Sequence, residues 1–330
     1  MPKPELIDRY NRRLTYLRIS ITDRCNLRCL YCVPRDAIPK LRHTEVLRYE
    51  EILRLIRIGV CLGISKIRIT GGEPLVRKGF DAFLSELNQI EGLADLSLTT
   101  NGVLLEDHIE KIRFAGIRRI NVSLDTLNRK KYEQITGHDS FEKVWKGIRL
   151  AQDMGFDPIK INVVALNGIN DDDLADLAEL TFSYPFHIRF IEYMPIGNAC
   201  LTCNRHLPAD EIKTRIRCLG NLTPVKKEAY DGPADRYQLE GAKGEIGFIS
   251  AISQHFCHRC NRLRLTASGH LRPCLLSDFQ VDLKGPLRKG CLDSELVNLF
   301  LKTAHCKPYQ HGLSMEHPTG VSGQMHAIGG

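Results

Sequence analysis

The chain of 330 residues is short of several things. It has no run of about 18 apolar residues, so it offers no candidate for a membrane-spanning helix. Its first residues, Met1 to Arg13, are polar and charged and lack the apolar stretch of a secretory signal, which predicts a cytoplasmic protein. It has no long basic run: cations fall singly or in pairs, as at Arg12-Arg13, Arg118-Arg119 and Lys226-Lys227. The net charge of +7 therefore favours anionic partners without pointing to a nucleic-acid arm. No low-complexity segment occurs, and no internal repeat beyond recurring strand–helix units. Hydrophobic residues make up 43% and charged residues 26%, the balance of an ordinary globular protein. Against these absences stand twelve cysteines, many for a chain without an export signal. In a reducing compartment such cysteines are metal ligands or reduced core residues more often than disulfides.

Six β-branched apolar segments predict strands over Leu14–Ile21, Lys66–Thr70, Asp95–Thr100, Arg119–Leu124, Ile159–Leu166 and His187–Tyr193. Helical periods fall between them, over Arg48–Leu62, Phe80–Gln89, Glu106–Ala115, Phe141–Met154 and Asp171–Thr181, with Gly63, Gly116 and Gly155 as stops. Asp210–Cys218 would close the sixth unit. Repeated strand–helix units imply a parallel sheet with right-handed crossovers. Periodicity alone allows a doubly wound sheet or an open, partial barrel. In either, ligands gather at the carboxyl ends of the strands, where Thr70-Gly71-Gly72, Thr99-Thr100-Asn101 and Glu192-Tyr193-Met194 stand. From residue 221 the pattern turns to short strands and Gly-containing turns. The expected division is 1–220 as the α/β core and 221–330 as a smaller C-terminal domain.

Cys25, Cys29 and Cys32 form C-x3-C-x2-C in the loop after the first strand. A structural zinc site wants four ligands, and no fourth Cys or His is close by. Three ligands suit a [4Fe–4S] cluster with one iron left open. With Gly71-Gly72-Glu73-Pro74 after the second strand, this spacing resembles the radical S-adenosylmethionine superfamily. That resemblance implies that the open iron binds S-adenosylmethionine and that its cleavage yields a 5′-deoxyadenosyl radical. The glycines are expected to let the backbone approach a ligand closely.

Cys257, Cys260 and Cys274 give C-x2-C-x13-C, with His255, His258 and His270 nearby as alternative zinc ligands. The run Cys260-Asn261-Arg262-Leu263-Arg264-Leu265-Thr266, Leu17-Arg18-Ile19-Ser20-Ile21-Thr22-Asp23-Arg24, Val122-Ser123-Leu124-Asp125, Met194-Pro195-Ile196-Gly197 and the terminal Gly329-Gly330 resemble the GTP 3′,8-cyclase family of that superfamily, along nearly the whole chain. The resemblance implies a partial (βα)6 barrel, a second [4Fe–4S] cluster in the C-terminal domain, and GTP as substrate, cyclised in the first step of molybdenum-cofactor assembly. By motif position it places Arg18, Lys66, Arg68, Thr99, Lys160, Arg189, Arg262 and Arg264 at GTP. It places Tyr31, Gly72, Ser123 and Met194 at S-adenosylmethionine. Arg262, Arg264, Gly329 and Gly330 would act at the reacting centre. Cyclic pyranopterin monophosphate synthase would be the downstream pathway partner, and a homodimer the assembly.

Two rival readings remain. One is a radical enzyme of another branch with a peptide substrate, which the Arg262-Leu263-Arg264 run and the Gly-Gly end disfavour. The other is a zinc-bearing nucleic-acid-binding protein, which leaves Gly71-Gly72-Glu73-Pro74 unexplained. Cys200-x2-Cys203 and the run Lys307-Pro308-Tyr309-Gln310-His311 match no chemistry that the sequence can name.

Overall fold

Alternation within the strands sets the architecture of the computed structural model, which describes residues 4–32, 40–197, 203–227, 231–313, 321 and 324–329. In β1 (Tyr16–Ser20) and β2 (Lys66–Thr70), Leu17, Ile19, Ile67 and Ile69 are fully buried on one face, while Arg18 and Arg68 point from the other. The same alternation runs through β3 (Asp95–Thr100), β4 (Arg119–Ser123), β5 (Ile159–Ala165) and β6 (His187–Glu192). A period of two puts every second side chain on the same face. The sheet therefore has an apolar face, covered by helices, and a polar face.

The covering helices are α1 (Tyr49–Cys61), α2 (Phe80–Asn88), α3 (Leu105–Phe114), α4 (Arg129–Thr136), α5 (Phe141–Asp153), α6 (Leu174–Ser183) and α7 (Ala209–Ile216). In α1 the buried Ile52, Leu55, Ile56 and Gly59 recur at helical spacing, and the Ile and Leu side chains join the same core as Ile67 and Ile69. Each such Leu or Ile contributes about 1.5–3 kcal/mol by leaving water. The Glu51 carboxylate accepts the Arg48 N–H at 2.6 Å and fastens the first turn. Gly63 ends the helix with φ +95°, a left-handed conformation that Gly adopts without steric cost.

The six core strands pair in parallel and in sequence order. The C-terminal segment is built onto this sheet rather than beside it. After β7 (Leu222–Pro224) and β8 (Asp235–Leu239), β9 (Glu245–Ile249) pairs in parallel with β6, while β10 (Arg262–Leu265) pairs in parallel with β1. Eight consecutive strands are thus parallel, in the order β10-β1-β2-β3-β4-β5-β6-β9. β11 (His270–Arg272) and β12 (Val281–Asp282) extend one edge antiparallel, and β8 and β7 extend the other. Among the described residues the sheet keeps two edges, so the barrel they form is open.

The C-terminal segment also contains α8 (Lys284–Arg288), α9 (Asp293–His305) and the short α10 (Met325–Ile328). The turn-rich sequence predicts only short strands there. Yet Leu296, Phe300, Thr303 and Ala304 bury one face of α9 at helical spacing. Arg54 of α1 fixes the start of α9, pairing with Asp293 at 2.7 Å and donating to the Cys291 carbonyl at 2.8 Å. Among the described residues, no helix is long and apolar enough to cross a membrane.

Candidate active site

One cavity lies on the polar face. It is lined from all eight parallel strands, among them by Arg18, Arg68, Thr99, Ser123, Asn162, Arg189, Ile249 and Arg262, so the sheet curls around it. Cys25, Cys29, Cys32, Cys257, Cys260 and Cys274 line the same cavity. The two cysteine groups, far apart in sequence, therefore share a single chamber.

The first group is positioned by the glycine segment, which packs against the cysteine loop as well as lining the cavity. Gly72 N–H donates to the Thr22 carbonyl at 2.7 Å, and Glu73 N–H donates to the Arg24 carbonyl at 2.8 Å. A Cβ on Gly72 would lie 2.4 Å from Arg24 O, and one on Gly71 would lie 2.8 Å from Thr22 O. The absent side chains thus admit the backbone of the cysteine loop itself. The buried Glu73 carboxylate accepts from Asn101 N at 2.6 Å, Leu75 N at 3.1 Å and Thr100 Oγ1 at 2.8 Å. Burial outweighs these bonds and lifts its pKa to about 7. Asn101 in turn donates to Asn26 Oδ1 at 2.8 Å and reaches Cys25 Sγ at 3.7 Å. On the far side, Tyr31 donates to Asp125 Oδ2 at 2.6 Å, while Val164 N–H holds Oδ1 at 2.8 Å. Burial raises Asp125 to about 6. Glu73, Asn101 and Asp125 appear in the sequence only as motif letters. Their linking role needs the fold.

The donor set fits an iron–sulfur cluster. Burial, followed by the neighbouring Cys32, Asp125 and Cys25, pushes the Cys29 thiol well up. Burial and Cys25 push Cys32 up to about 12. These thiols repel as thiolates and hold their protons until a cationic centre joins them. Among the described residues, no three His, Cys, Asp or Glu groups gather closely enough to hold one metal ion.

At the second group, burial raises Cys257. It acts the same way on Cys260, but Lys307 and Arg262 outweigh it and bring that thiol down to about 7. Beside this group the polar face is crowded with cations. Arg264, Arg18 and Arg68 stand level on β10, β1 and β2, and Arg262, Tyr16 and Lys66 form the next row. Burial comes first in each shift here. With Arg68 it takes Arg189 down to about 9, with Arg262 it takes Arg264 to about 9, and with Arg264 it takes Arg18 well below its ordinary value. Lys160, beside Arg189 and Arg68, falls to about 6. Buried cations that depress one another form a site awaiting an anion. Tyr16, which sequence reasoning missed, lies among them. The Lys66 ammonium is 5.0 Å from its ring centroid, and the Arg68 and Arg262 guanidiniums are each 5.7 Å away. Burial would raise its hydroxyl pKa, but Arg68, Arg18, Arg262 and Lys66 lower it.

Arg18, Arg68, Thr99, Arg189, Arg262 and Arg264 line the cavity directly, as do Tyr31, Gly72, Ser123 and Met194. Among the described residues, Thr99 Oγ1 is buried with no hydrogen-bond partner, leaving a polar group for a ligand. Lys66 and Lys160 share the polar face without being among the lining residues, and Lys66 pairs with Asp95 at 3.0 Å. Gly329 is buried at the ends of β1 and β2. A Cβ there would meet Thr70 Cγ2 at 3.1 Å and Ser20 Cβ at 3.2 Å, and the Gly329 carbonyl accepts from Arg264. Gly330 and Cys200 lie outside the described residues, as does the Cys203 side chain.

The model of the Radical SAM superfamily matches residues 19–181, and that of Molybdenum Cofactor Synthesis C matches residues 186–313. The GTP 3′,8-cyclase of Moorella thermoacetica is 48% identical over 98% of this chain and 99% of its own length. That of Thermodesulfovibrio yellowstonii is 49% identical over the same shares. The chain belongs to the GTP 3′,8-cyclase family. Streptococcus suis SuiB bound to S-adenosylmethionine superposes on 93% of this chain and 78% of its own at a TM-score of 0.61, with 14% identity. At that identity the likeness speaks for the fold alone, a radical S-adenosylmethionine α/β fold with a parallel sheet. Superfamily membership makes the protein a radical enzyme with S-adenosylmethionine and a [4Fe–4S] cluster as cofactors.

Proposed function

We propose that this chain cyclises GTP, joining ribose C3′ to guanine C8 in the first step of molybdenum-cofactor assembly. One observation carries the reading. A buried cluster of arginines opens into the same chamber as both cysteine groups, on a sheet whose relatives are GTP 3′,8-cyclases. When bound at Cys25, Cys29 and Cys32, the cluster and S-adenosylmethionine supply the 5′-deoxyadenosyl radical. Tyr31, Gly72, Ser123 and Met194, which line the cavity, would contact S-adenosylmethionine. Cys257, Cys260 and Cys274 would hold a second [4Fe–4S] cluster at the guanine end, and Lys307 and Arg262 favour the Cys260 thiolate.

The residues of this chain bind, orient and shield. Arg18, Arg68, Arg189, Arg262 and Arg264 present guanidinium forks suited to a triphosphate, with Lys66 and Lys160 behind them. Thr99 offers a buried hydroxyl that has no partner among the described residues. Gly329, held by Arg264, lies against the ends of β1 and β2. Holding the reacting atoms together away from water is the protein's share of cofactor chemistry. In this reading residues 1–220 form the radical core and 221–330 complete the chamber. The enzyme works in the cytoplasm as a homodimer, and its product passes to cyclic pyranopterin monophosphate synthase.

The test is anaerobic reconstitution followed by addition of GTP, S-adenosylmethionine and a strong reductant. The expected result is about eight irons per chain, with 5′-deoxyadenosine and the cyclised nucleotide formed only when GTP is present. About four irons and no response to GTP would refute both the second cluster and the substrate.

A further inference from the structure

The run Lys307-Pro308-Tyr309-Gln310-His311, which matches no chemistry at the level of sequence, wraps the second cysteine group. The Arg12 guanidinium donates to the carbonyls of Cys257 at 2.5 Å, Pro308 at 2.6 Å and Tyr309 at 3.1 Å, while Asp8 holds its Nε at 2.6 Å. The His311 Nε2 lies 2.9 Å from the Ala251 carbonyl. At the centre is Lys307, only 2% exposed. Its ammonium donates to the Arg262 carbonyl at 2.7 Å and to the Pro273 carbonyl at 2.6 Å. The first carbonyl lies two residues beyond Cys260, and the second immediately precedes Cys274. One side chain therefore joins the two arms that bring these cysteines together.

The charge is the unusual part. Among the described residues, no carboxylate pairs with Lys307. Two carbonyls take two of its three donors and the Cys260 thiol is a further partner, but the carbonyls do not neutralise it, and burying an ammonium without a counter-charge is unfavourable. The thiol beside it is Cys260. A [4Fe–4S] core held by three thiolates is a net anion in either of its usual oxidation states, and more so when reduced. Nearby charge and hydrogen bonding set the potential of such clusters.

We propose that Lys307 is the positioning residue and built-in counter-charge of the second cluster, holding the Cys260 and Cys274 arms in place and raising the cluster's reduction potential. This rests on the reading of Cys257, Cys260 and Cys274 as cluster ligands. The test uses the full chain carrying Cys25→Ala, Cys29→Ala and Cys32→Ala, so that only the second cluster can form. Iron content and the midpoint potential, followed by electron paramagnetic resonance, are compared for Lys307, Lys307→Arg, Lys307→Gln and Lys307→Met. The expected parent holds about four irons. Both neutral variants should shift the midpoint to more negative potential, and Lys307→Arg should stay near the parent. Equal potentials in all four chains would overturn the proposal. Should neither neutral variant fold, Lys307→Arg decides, since an iron-poor or strongly shifted Arg chain would overturn the charge role. An iron-free parent would overturn the second-cluster reading itself, a result distinct from the others.

Discussion

Lys160 gives the sharpest handle on how GTP is held. Burial and the surrounding Arg189, Arg68, Arg119 and Lys66 bring its pKa to about 6, from an ordinary 10.5. At pH 7.5 roughly one chain in thirty then carries the charge. A triphosphate set against these cations reverses their mutual repulsion and returns Lys160 toward its ordinary value. Binding should therefore take up close to one proton per GTP between pH 7 and 8. Arg189 and Arg264, at about 9, stay largely protonated, and His187, at about 4, stays neutral. By linkage, the Kd should rise about tenfold for each pH unit above 7. The assay is anaerobic calorimetry of GTP binding in buffers of different ionisation enthalpy, corrected for the γ-phosphate's own titration. Lys160→Met should bind more weakly and lose the uptake. Uptake that survives in Lys160→Met, or that is absent from the parent, would refute the argument.

Gly72→Ala would place a methyl 2.4 Å from Arg24 O and drive the cysteine loop from the sheet. The expected cost is about 1–3 kcal/mol, read as a lower Tm together with loss of about four irons. Glu192 is a fastening of the C-terminal segment, its carboxylate accepting from Ala209 N, Ile252 N and Ser253 N, each at 2.9 Å. Burial pushes its pKa up, but His206, Ser253 and Ile252 outweigh it and hold it at about 2. That stability is fully present above its ordinary 4.5 and is lost as pH falls through about 2. Glu192→Gln should cost about 3 kcal/mol at pH 7 by linkage and progressively less in acid. An equal denaturant shift at pH 7 and pH 3 would count against it. Removing Gly329 and Gly330 should abolish cyclisation while iron content stays at the parent level, since the tail contributes no thiol. Normal turnover by the shortened chain would exclude the role of the tail.

The strands were legible because alternation is local. Lys66–Thr70 and Asp95–Thr100 occur at the very bounds that the pattern predicts, and the other four differ by no more than a few residues at their ends. The cysteine spacings were legible for the same reason, as were the paired faces of Arg262 and Arg264. Spacing also named the glycine segment, but that Gly72 admits the Arg24 carbonyl needed the fold. Tyr16 was hidden as an ordinary aromatic at a strand start, and Lys307 as a lysine in a turn.

By itself the sequence determined which residues share a face, where helices stop and which thiols travel together, all of them consequences of short-range geometry. The tertiary structure decided which sheet edges the C-terminal strands would take. Edge pairing depends on open backbone donors and acceptors that no local pattern records. Once β10 joins β1 and β9 joins β6, the second cysteine group, the arginines and the tail close on the same chamber as the first group. The convergence of those charges and thiols, and the buried lysine among them, is a property of that pairing alone.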